Sequence, residues 1–350
     1  MYMKGSNYFE ERNIASTIKL REKLSVLPYF CREFFIGIEM KTSTLTRLNY
    51  ATDLKIFFDY LTKEVPYFKD KAIGELELSD LDKVTTTDIE MFLSYLSYYE
   101  IDNRKYSNKE RAKSRKLSTV RSLFAYFYNK DKLKENVSSK VSLPKLHEKE
   151  IIRLNAEESK DLINLIEDLS QMHSEHQRKY IKNNLKNRDL AIIALLLGTG
   201  IRVSELVGLN IDDFDFKNNA FVVTRKGGDR STLFFSNEIK EILYDYVQAR
   251  KEIHDAKNKH ALFLSSQKRR ITVRAVEYLV KKYSKIISPL KKITPHKLRS
   301  TYGTNLYRAT KDIYVVAEVL GHKDVNTTKK HYAATSEEIK REASTKVRLR

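Results

Sequence analysis

The residues best suited to chemistry in this sequence are arginines, histidines and one tyrosine, all in its second half. They are Arg202 with Glu205 in GTGIRVSEL, His296 and Arg299 in TPHKLRSTYGTNL, and His322 and Tyr332 in VLGHKDVNTTKKHYA. A guanidinium can bind two oxygens of one phosphate, and a helix N-terminus that carries His and Arg is a ready site for an anion. Each piece taken alone also fits an ordinary surface pair. Their combination favours an anionic substrate such as a phosphate group.

The overall charge also indicates an anionic partner. The chain has 350 residues, with 65 Lys and Arg against 46 Asp and Glu, and its formal net charge is +19. Such an excess is typical of proteins that bind a polyanion such as nucleic acid. Because the lysines are spread along the whole chain rather than beside one apolar stretch, a membrane surface is a weaker alternative.

The same composition disfavours several classes of protein. No stretch approaches about 18 consecutive apolar residues, and MYMKGSNYFEERN at the start lacks the apolar core of a secretory signal. The single cysteine, Cys31, allows no internal disulfide and no cysteine-based zinc site. No cluster of Asp, Glu and His has the spacing of metal ligands. We therefore expect a soluble cytoplasmic protein that inserts into no membrane and needs no metal or other cofactor.

The first 134 residues predict a bundle of helices, and the next segment predicts a linker. Apolar spacing and capping signals place two helices within 8–40 around Pro28, one over 45–61, one that begins at Thr87 with Glu90 as its capping partner, and one around 117–127. The last three carry Lys or Arg on their polar faces. Residues 135–150, ENVSSKVSLPKLHEKE, lack periodicity and contain Ser-Ser and a proline, so we expect a linker there.

Residues 151–350 predict a second domain with helices and one small sheet. Asn155 with Glu158 signals the start of a helix, and NRDLAIIALLLGTG is apolar enough for a buried helix that ends at Gly198. Two β-rich runs surround Lys-Gly-Gly-Asp in FVVTRKGGDRSTLFF, which is typical of a hairpin. The fold class is therefore mainly α with a small β-sheet. Two basic domains on a linker would suit a clamp around duplex DNA.

The order of the candidate residues is more specific than any of them alone. An arginine, a hairpin lysine, His-x-x-Arg, Gly-His and a tyrosine follow one another in a way that resembles the tyrosine recombinase family, also called phage-integrase-like enzymes. The resemblance covers the whole chain and is most specific over residues 187–333. It implies a C-shaped clamp made of a helical core-binding domain (1–134, with an N-terminal helical extension), a linker (135–150) and a catalytic domain (151–350) whose tail is exchanged between protomers.

The resemblance also implies a role for each candidate residue. The nucleophile would be Tyr332, and the scissile phosphate would lie among Arg202, Glu205, His296, Arg299 and His322. The two arginines would bind its oxygens, and Glu205 would support Arg202. Lys226, in VTRKGGD, would match the hairpin lysine, and Arg225 beside it stays open as a second candidate for that cation.

These roles give a physical reason for a phenol in basic surroundings. A free phenol has a pKa of about 10, so ionising it at pH 7 costs roughly 4 kcal/mol, and nearby cations lower that cost. The resemblance implies that His296 takes the phenol proton and that Lys226 protonates the departing 5′-oxygen. The products would be a 3′-phosphotyrosyl link and a free 5′-hydroxyl. Arginine and histidine donors would meet the developing charge without a metal, and the link would conserve the phosphodiester without ATP.

Within the family, the chain resembles the Xer group, and most of all its single-protein XerS type. The helices at the front and the polar segment QMHSEHQRKYIKNNLKN (171–187) are similar to features of that type. The resemblance implies resolution of chromosome dimers at a dif-like inverted repeat in double-stranded DNA. The protein would act as a homotetramer on two sites, with an accessory cell-division protein as a further candidate partner. The alternatives are integration or excision of a mobile element and, more distantly, a type IB topoisomerase or a DNA-binding regulator without catalysis.

Exchanging Tyr332 for phenylalanine tests the nucleophile that the resemblance implies. Tyr332→Phe removes one oxygen and leaves the charge and the shape of the side chain almost intact. We expect DNA binding to persist in a mobility-shift assay, while no covalent protein–DNA adduct forms on a denaturing gel. An adduct at normal yield in this variant would place the nucleophile elsewhere.

Overall fold

Helices form most of the two units into which the chain divides. The structure is a computed structural model that describes residues 8–101, 103–145, 152–168, 185–225, 228–322, 324–326 and 328. The units are Met1–Lys149 and Glu150–Arg350. No helix within the described ranges is both long and apolar enough to cross a membrane. The predicted fold class, mainly α with a small sheet, is confirmed.

Apolar residues at helical spacing build the core of the first unit. Its described α-helices are α1 (Tyr8–Leu24), α2 (Cys31–Gly37), α3 (Thr44–Glu64), α4 (Thr86–Tyr95) and α5 (Glu110–Tyr128). Phe57 and Phe58 on α3 and Phe124 on α5 are fully buried. The ring of Phe57 packs edge to face on Phe92 of α4, with the centroids 5.1 Å apart. The helices predicted around Pro28, over 45–61 and around 117–127 are therefore confirmed.

The predicted start of α4 is wrong by two residues. The Asp88 N–H donates to Thr85 Oγ1 (3.2 Å), and the Thr85 N–H donates to Asp88 Oδ2 (2.8 Å). An aspartate three residues after the cap thus closes the reciprocal pair that the sequence pattern had assigned to Thr87 and Glu90. The run of three threonines before Asp88 offers several starting points, and the pattern alone does not choose between them.

The first unit also contains a hairpin that the sequence pattern did not predict. Strands β1 (Tyr99–Ile101) and β2 (Arg104–Tyr106) pair antiparallel after α4. Asn103, with φ +59°, turns the chain between them, a conformation that asparagine tolerates better than most residues. The rings of Tyr99 and Tyr106 stack across the pair at 5.3 Å. Because each strand has three residues, neither is long enough to show a period of two.

The described part of the predicted linker packs with the first unit. Val137–Lys140 forms a 3₁₀ turn, and Val141 is 1% exposed within the apolar core of that unit. The Arg121 guanidinium on α5 donates to the carbonyls of Ser138 and Val141. A polar segment can pack here because a side chain from α5 satisfies its backbone. Residues 146–150 of the predicted linker lie outside the described ranges.

The second unit combines helices with one three-stranded sheet. Its described α-helices are α6 (Ala156–Glu167), α7 (Leu185–Thr199), α8 (Val203–Leu206), α9 (Asn237–Lys251), α10 (Val273–Ile287), α11 (Pro295–Thr310) and α12 (Ile313–Leu320). The sheet is antiparallel in the order β3 (Phe214–Asp215), β4 (Ala220–Thr224) and β5 (Arg230–Phe234). The predicted hairpin is β4–β5, with Val222 opposite Thr232. The two-residue strand β3 was not predicted.

Side-chain caps fix the ends of the helices that frame this unit. Asn155 and Glu158 form the capping box expected at α6, with bonds of 2.7 and 2.8 Å. The Thr294 side chain caps α11. The buried helix α7 packs against α6, α9, α10 and α11, and it ends at Thr199, one residue beyond the predicted Gly198. Helices α7, α11 and α12 and strand β4 together position the candidate residues described next.

Candidate active site

The end of α12 leaves three carbonyl groups available to the rest of the fold. Gly321 has φ +60°, a conformation that glycine adopts without the penalty of a Cβ. The Gly321 N–H donates to Glu318 O (2.8 Å) and the His322 N–H donates to Ala317 O (2.9 Å), which satisfies two of the carbonyls that a helix end leaves unpaired. The carbonyls of residues 319–321 come next in the chain and are bound from elsewhere.

Three arginines from different elements bind those carbonyls, one each. Arg202 precedes α8, Arg225 follows β4 and Arg299 lies on α11. Their Nη2 atoms donate to Gly321 O (2.8 Å), Val319 O (3.3 Å) and Leu320 O, in that order. The partial negative charge at a helix C-terminus favours cations there. The end of α12 therefore gathers three guanidinium groups that are far apart in sequence.

One buried carboxylate joins two of these arginines. Glu205, on α8, is 3% exposed. Its Oε1 accepts from Arg202 Nη1 at 2.8 Å, and both of its oxygens lie 3.3 Å from Arg225 Nη1. Its Oε2 also accepts from the Arg202 backbone N–H (3.0 Å). We call Arg202, Arg225, Arg299 and Glu205 the arginine cluster; three positive charges and one negative charge give it a formal charge of +2.

The three guanidiniums differ in their access to solvent. Arg299 is 5% exposed, whereas the side chains of Arg225 and Arg202 are 11% and 33% exposed. Arg299 is further fixed by a bond from its Nη1 to Gly200 O. An arginine has five N–H donors, and the bonds of Arg202 to Glu205 and to the end of α12 use two on its terminal nitrogens. Arg202 thus presents the most surface of the three to a ligand.

A second glycine allows the end of α7 to reach the cluster. Gly200 has φ +61°. A Cβ on this residue would lie 2.8 Å from Leu320 Cδ2 and would overlap the ring of Tyr302. Its carbonyl is one of the two that Arg299 binds. Glycine is therefore required here both for the backbone conformation and for the close approach of α7 to α11 and α12.

The two predicted histidines differ in their surroundings. His296 is exposed in the first turn of α11, three residues before Arg299. His322 is half-buried and follows Gly321 directly, and its Nδ1 lies 2.7 Å from Oγ1 of the fully buried Thr328. This hydroxyl fixes the orientation of the imidazole next to the cluster. Among the residues that the structure describes, no group of three or more His, Cys, Asp or Glu side chains could hold a metal ion.

The remaining predicted site residues, Lys226 and Tyr332, lie outside the described ranges. Sequence reasoning considered Arg225 only as a rival of Lys226, whereas its guanidinium belongs to the cluster. The sequence signal that could have indicated Arg225 as a member of the cluster was its position directly after a β-rich run. The backbone acceptors at Gly200 and residues 319–321 could not be foreseen, because carbonyl groups carry no side-chain signature.

Comparison with known proteins identifies the class to which this fold and site belong. The Phage integrase family matches residues 153–338. The chain therefore belongs to the phage integrase family, the tyrosine recombinases, as the order of its motifs indicated. Membership of this family confirms the predicted activity, site-specific recombination of DNA.

Individual relatives place the chain near the Xer recombinases. Tyrosine recombinase XerC of Caldanaerobacter subterraneus subsp. tengcongensis is 36% identical over 285 residues, which cover 80% of this chain and 75% of XerC. Tyrosine recombinase XerS of Streptococcus agalactiae serotype III is 34% identical over 335 residues, or 89% of this chain and 93% of XerS. A crystal structure of the XerH site-specific recombinase bound to palindromic difH substrate matches the fold with a TM-score of 0.63 at 19% identity, over 83% of this chain and 77% of that one.

The two carbonyls bound by Arg299 give a test that needs no DNA. In Arg299→Lys, one ammonium replaces a planar fork that bridges Gly200 O and Leu320 O, so a buried carbonyl loses its partner. We expect the free energy of unfolding, measured by urea titration, to fall by about 1–3 kcal/mol. Arg308→Lys, at an exposed position of the same helix, is the matched control and should change it by less than about 0.5 kcal/mol. Equal effects of the two substitutions would contradict the bridging role.

Proposed function

We propose that this recombinase binds the scissile phosphate of its DNA site with the arginine cluster and attacks it with Tyr332. The observation that carries the proposal is the convergence of three guanidiniums on the end of α12. A phosphodiester under attack gains negative charge on its non-bridging oxygens, and cations that are fixed beforehand stabilise that charge most. Arg202 and Arg299 bind these oxygens, while Glu205 supports Arg202.

The chemical step needs one proton acceptor and one proton donor. The Tyr332 oxygen forms a bond to phosphorus as His296 accepts the phenol proton. The bond between phosphorus and the 5′-oxygen breaks as Lys226 supplies a proton to that oxygen. His322 donates to a non-bridging oxygen throughout. The result is a 3′-phosphotyrosyl protein and a free 5′-hydroxyl, and attack by the 5′-hydroxyl of another strand reverses these steps and rejoins the DNA.

This chemistry requires neither a metal ion nor ATP. The cluster's formal charge of +2 supplies the stabilisation that a divalent cation gives in many phosphoryl-transfer enzymes. The phosphotyrosyl link keeps the phosphodiester as an ester, so rejoining needs no external energy source.

We further infer that the substrate is a dif-like inverted repeat in chromosomal double-stranded DNA, where recombination in the cytoplasm resolves chromosome dimers. The support is the likeness to relatives named XerC and XerS over 80% and 89% of the chain. The first unit serves as the core-binding domain, and the second unit serves as the catalytic domain. An accessory cell-division protein is a further candidate partner. Integration or excision of a mobile element is the alternative function.

Covalent capture tests the mechanism and recovers the substrate in one experiment. The wild type and Tyr332→Phe are incubated with sheared genomic DNA in EDTA and quenched with SDS, and the DNA that stays on the protein is sequenced. We expect the wild type to enrich one chromosomal inverted repeat even in EDTA, because the proposed chemistry needs no metal. Tyr332→Phe should enrich none, because it lacks the nucleophile. An adduct that forms only after Mg²⁺ is added would overturn metal independence. Enrichment of the ends of a mobile element would favour the alternative function.

We also propose that four copies act on two DNA sites and that the segment after Tyr332 ties them together. In AATSEEIKREASTKVRLR, Ser336 with Glu337 and Glu338 can begin a short helix. Isolated helices shorter than about 12–15 residues are marginal in water. The segment therefore needs a surface on which to dock, and a neighbouring protomer supplies it.

Ending the chain after Ala334 tests this assembly. We expect the truncated protein to bind one half-site of the captured DNA with near-normal affinity in a mobility-shift assay. It should lose cooperative filling of the second half-site, and with it recombination, because the docking helix is gone. Recombination of two sites at the full rate by the truncated protein would show that the segment plays no part in assembly.

A further inference from the structure

Arg225 takes part in the arginine cluster without a role in the proposed chemistry. Its guanidinium contacts both oxygens of Glu205 and the Val319 carbonyl, each at 3.3 Å. Its backbone closes the turn between β4 and β5: the Arg225 N–H donates to Asp229 O (2.7 Å), and the Gly228 N–H donates to Arg225 O (3.1 Å). One residue thus joins the hairpin turn, the carboxylate of the cluster and the end of α12.

We propose that Arg225 is a positioning residue that neutralises Glu205 and anchors the hairpin turn to the last turn of α12. The inference rests on the proposed function, because the residues it positions are Arg202, which binds the phosphate, and Lys226, which lies within the anchored turn. Arg225 itself touches neither the phosphate nor the leaving oxygen. It acts through Glu205 and through the backbone of the turn.

The charge balance explains why Glu205 needs a second cation. With Arg225, the cluster carries three positive charges and one negative charge, a formal charge of +2. Without it, the Glu205 carboxylate, 2.8 Å from Arg202 Nη1, would cancel the charge that Arg202 presents to the phosphate. Inside a protein this cancellation is stronger than in water, because the effective dielectric constant is lower. Arg225 therefore releases Arg202 for the substrate while Glu205 still orients it.

The position of Arg225 disfavours a direct role as the acid for the leaving oxygen. Its Nη1 and Nη2 atoms donate to Glu205 and to the Val319 carbonyl. A Cβ on Gly321 would lie 3.0 Å from Arg225 Cζ, so the guanidinium packs directly on the turn that ends α12. A guanidinium also keeps its proton in proteins, whereas a general acid must release one. Lys226 therefore stays the hairpin cation that we propose for the leaving group.

The test uses the duplex recovered by covalent capture and follows the rate of adduct formation in a single turnover. We expect Arg225→Gln to slow this rate by about 10–100-fold, by analogy with the loss of a partner that orients a metal ligand. Its affinity for a half-site should change less than about twofold. Arg225→Lys keeps the charge but not the planar guanidinium, and its rate of adduct formation should lie between those of Arg225→Gln and the wild type. Arg230→Gln is the control, because it removes an equal charge from an exposed site on the same hairpin, opposite Thr224, and should stay within about twofold of the wild type.

A double substitution separates action through Glu205 from contact with DNA. In a Glu205→Gln background no carboxylate remains to be neutralised, so Arg225→Gln should cost far less there than in the wild type. The same loss in both backgrounds would show that Arg225 does not act through Glu205 and would overturn the inference. Thermal unfolding of each variant checks that the rates compare folded proteins.

A substrate with sulfur in place of the 5′-oxygen distinguishes the role of Arg225 from that of the general acid. Sulfur leaves without protonation, so Lys226→Ala should regain most of its rate on this substrate. Arg225→Gln should regain only part, because Arg202 is affected as well, and full recovery would contradict the proposed role. Absence of any adduct with the wild type would count against the proposed function, whereas a normal rate for Arg225→Gln beside a wild-type adduct would count against this inference alone.

Discussion

The pairing of three arginines with the carbonyls at the end of α12 is the interaction on which the whole site depends. A helix end leaves carbonyl groups that must find donors, and its partial negative charge favours cations. At α12, the glycine turn satisfies two of these groups, and side chains from three other elements satisfy the next three. The same bonds that complete the helix therefore bring the cationic groups of the site together.

Fixing the arginines during folding has consequences for the proposed catalysis. An arginine side chain loses considerable rotamer freedom when it is held in one geometry. Here Arg299, 5% exposed, is already held by carbonyls from two segments, and Arg202 by Glu205 and Gly321. That loss belongs to the folding of the second unit rather than to the moment of reaction, which is the condition under which charged groups stabilise a transition state most effectively.

Glu205 reconciles a stable fold with a positive site. Three guanidiniums at one helix end repel one another, and burying them without a counter-charge would destabilise the second unit. One carboxylate shared between Arg202 and Arg225 reduces that repulsion and leaves a formal charge of +2. The two glycines at 200 and 321 complete the arrangement, since their positive φ values let three backbone segments meet without Cβ atoms between them.

Local sequence determined the elements, because caps, turns and apolar spacing depend on residues three or four apart. The cap at Asn155 and the β4–β5 hairpin were both predicted on this basis. Such patterns failed where neighbouring residues offered equivalent choices, as at the start of α4, or where strands were too short to show a period, as in β1 and β2.

Only the tertiary structure decided how the site is assembled. The bond from Arg202 to the Gly321 carbonyl joins residues 119 apart in sequence, and that from Arg225 to Val319 joins residues 94 apart. The order of the motifs in the sequence predicted Arg202, Glu205, Arg299 and His322 as site residues. It could not reveal that Arg225 shares Glu205 with Arg202, because this contact follows from the packing of β4 against α8. Every residue has a backbone carbonyl, so a sequence does not show which of them accept side-chain hydrogen bonds. The reason why these side chains converge is therefore visible only in the folded chain.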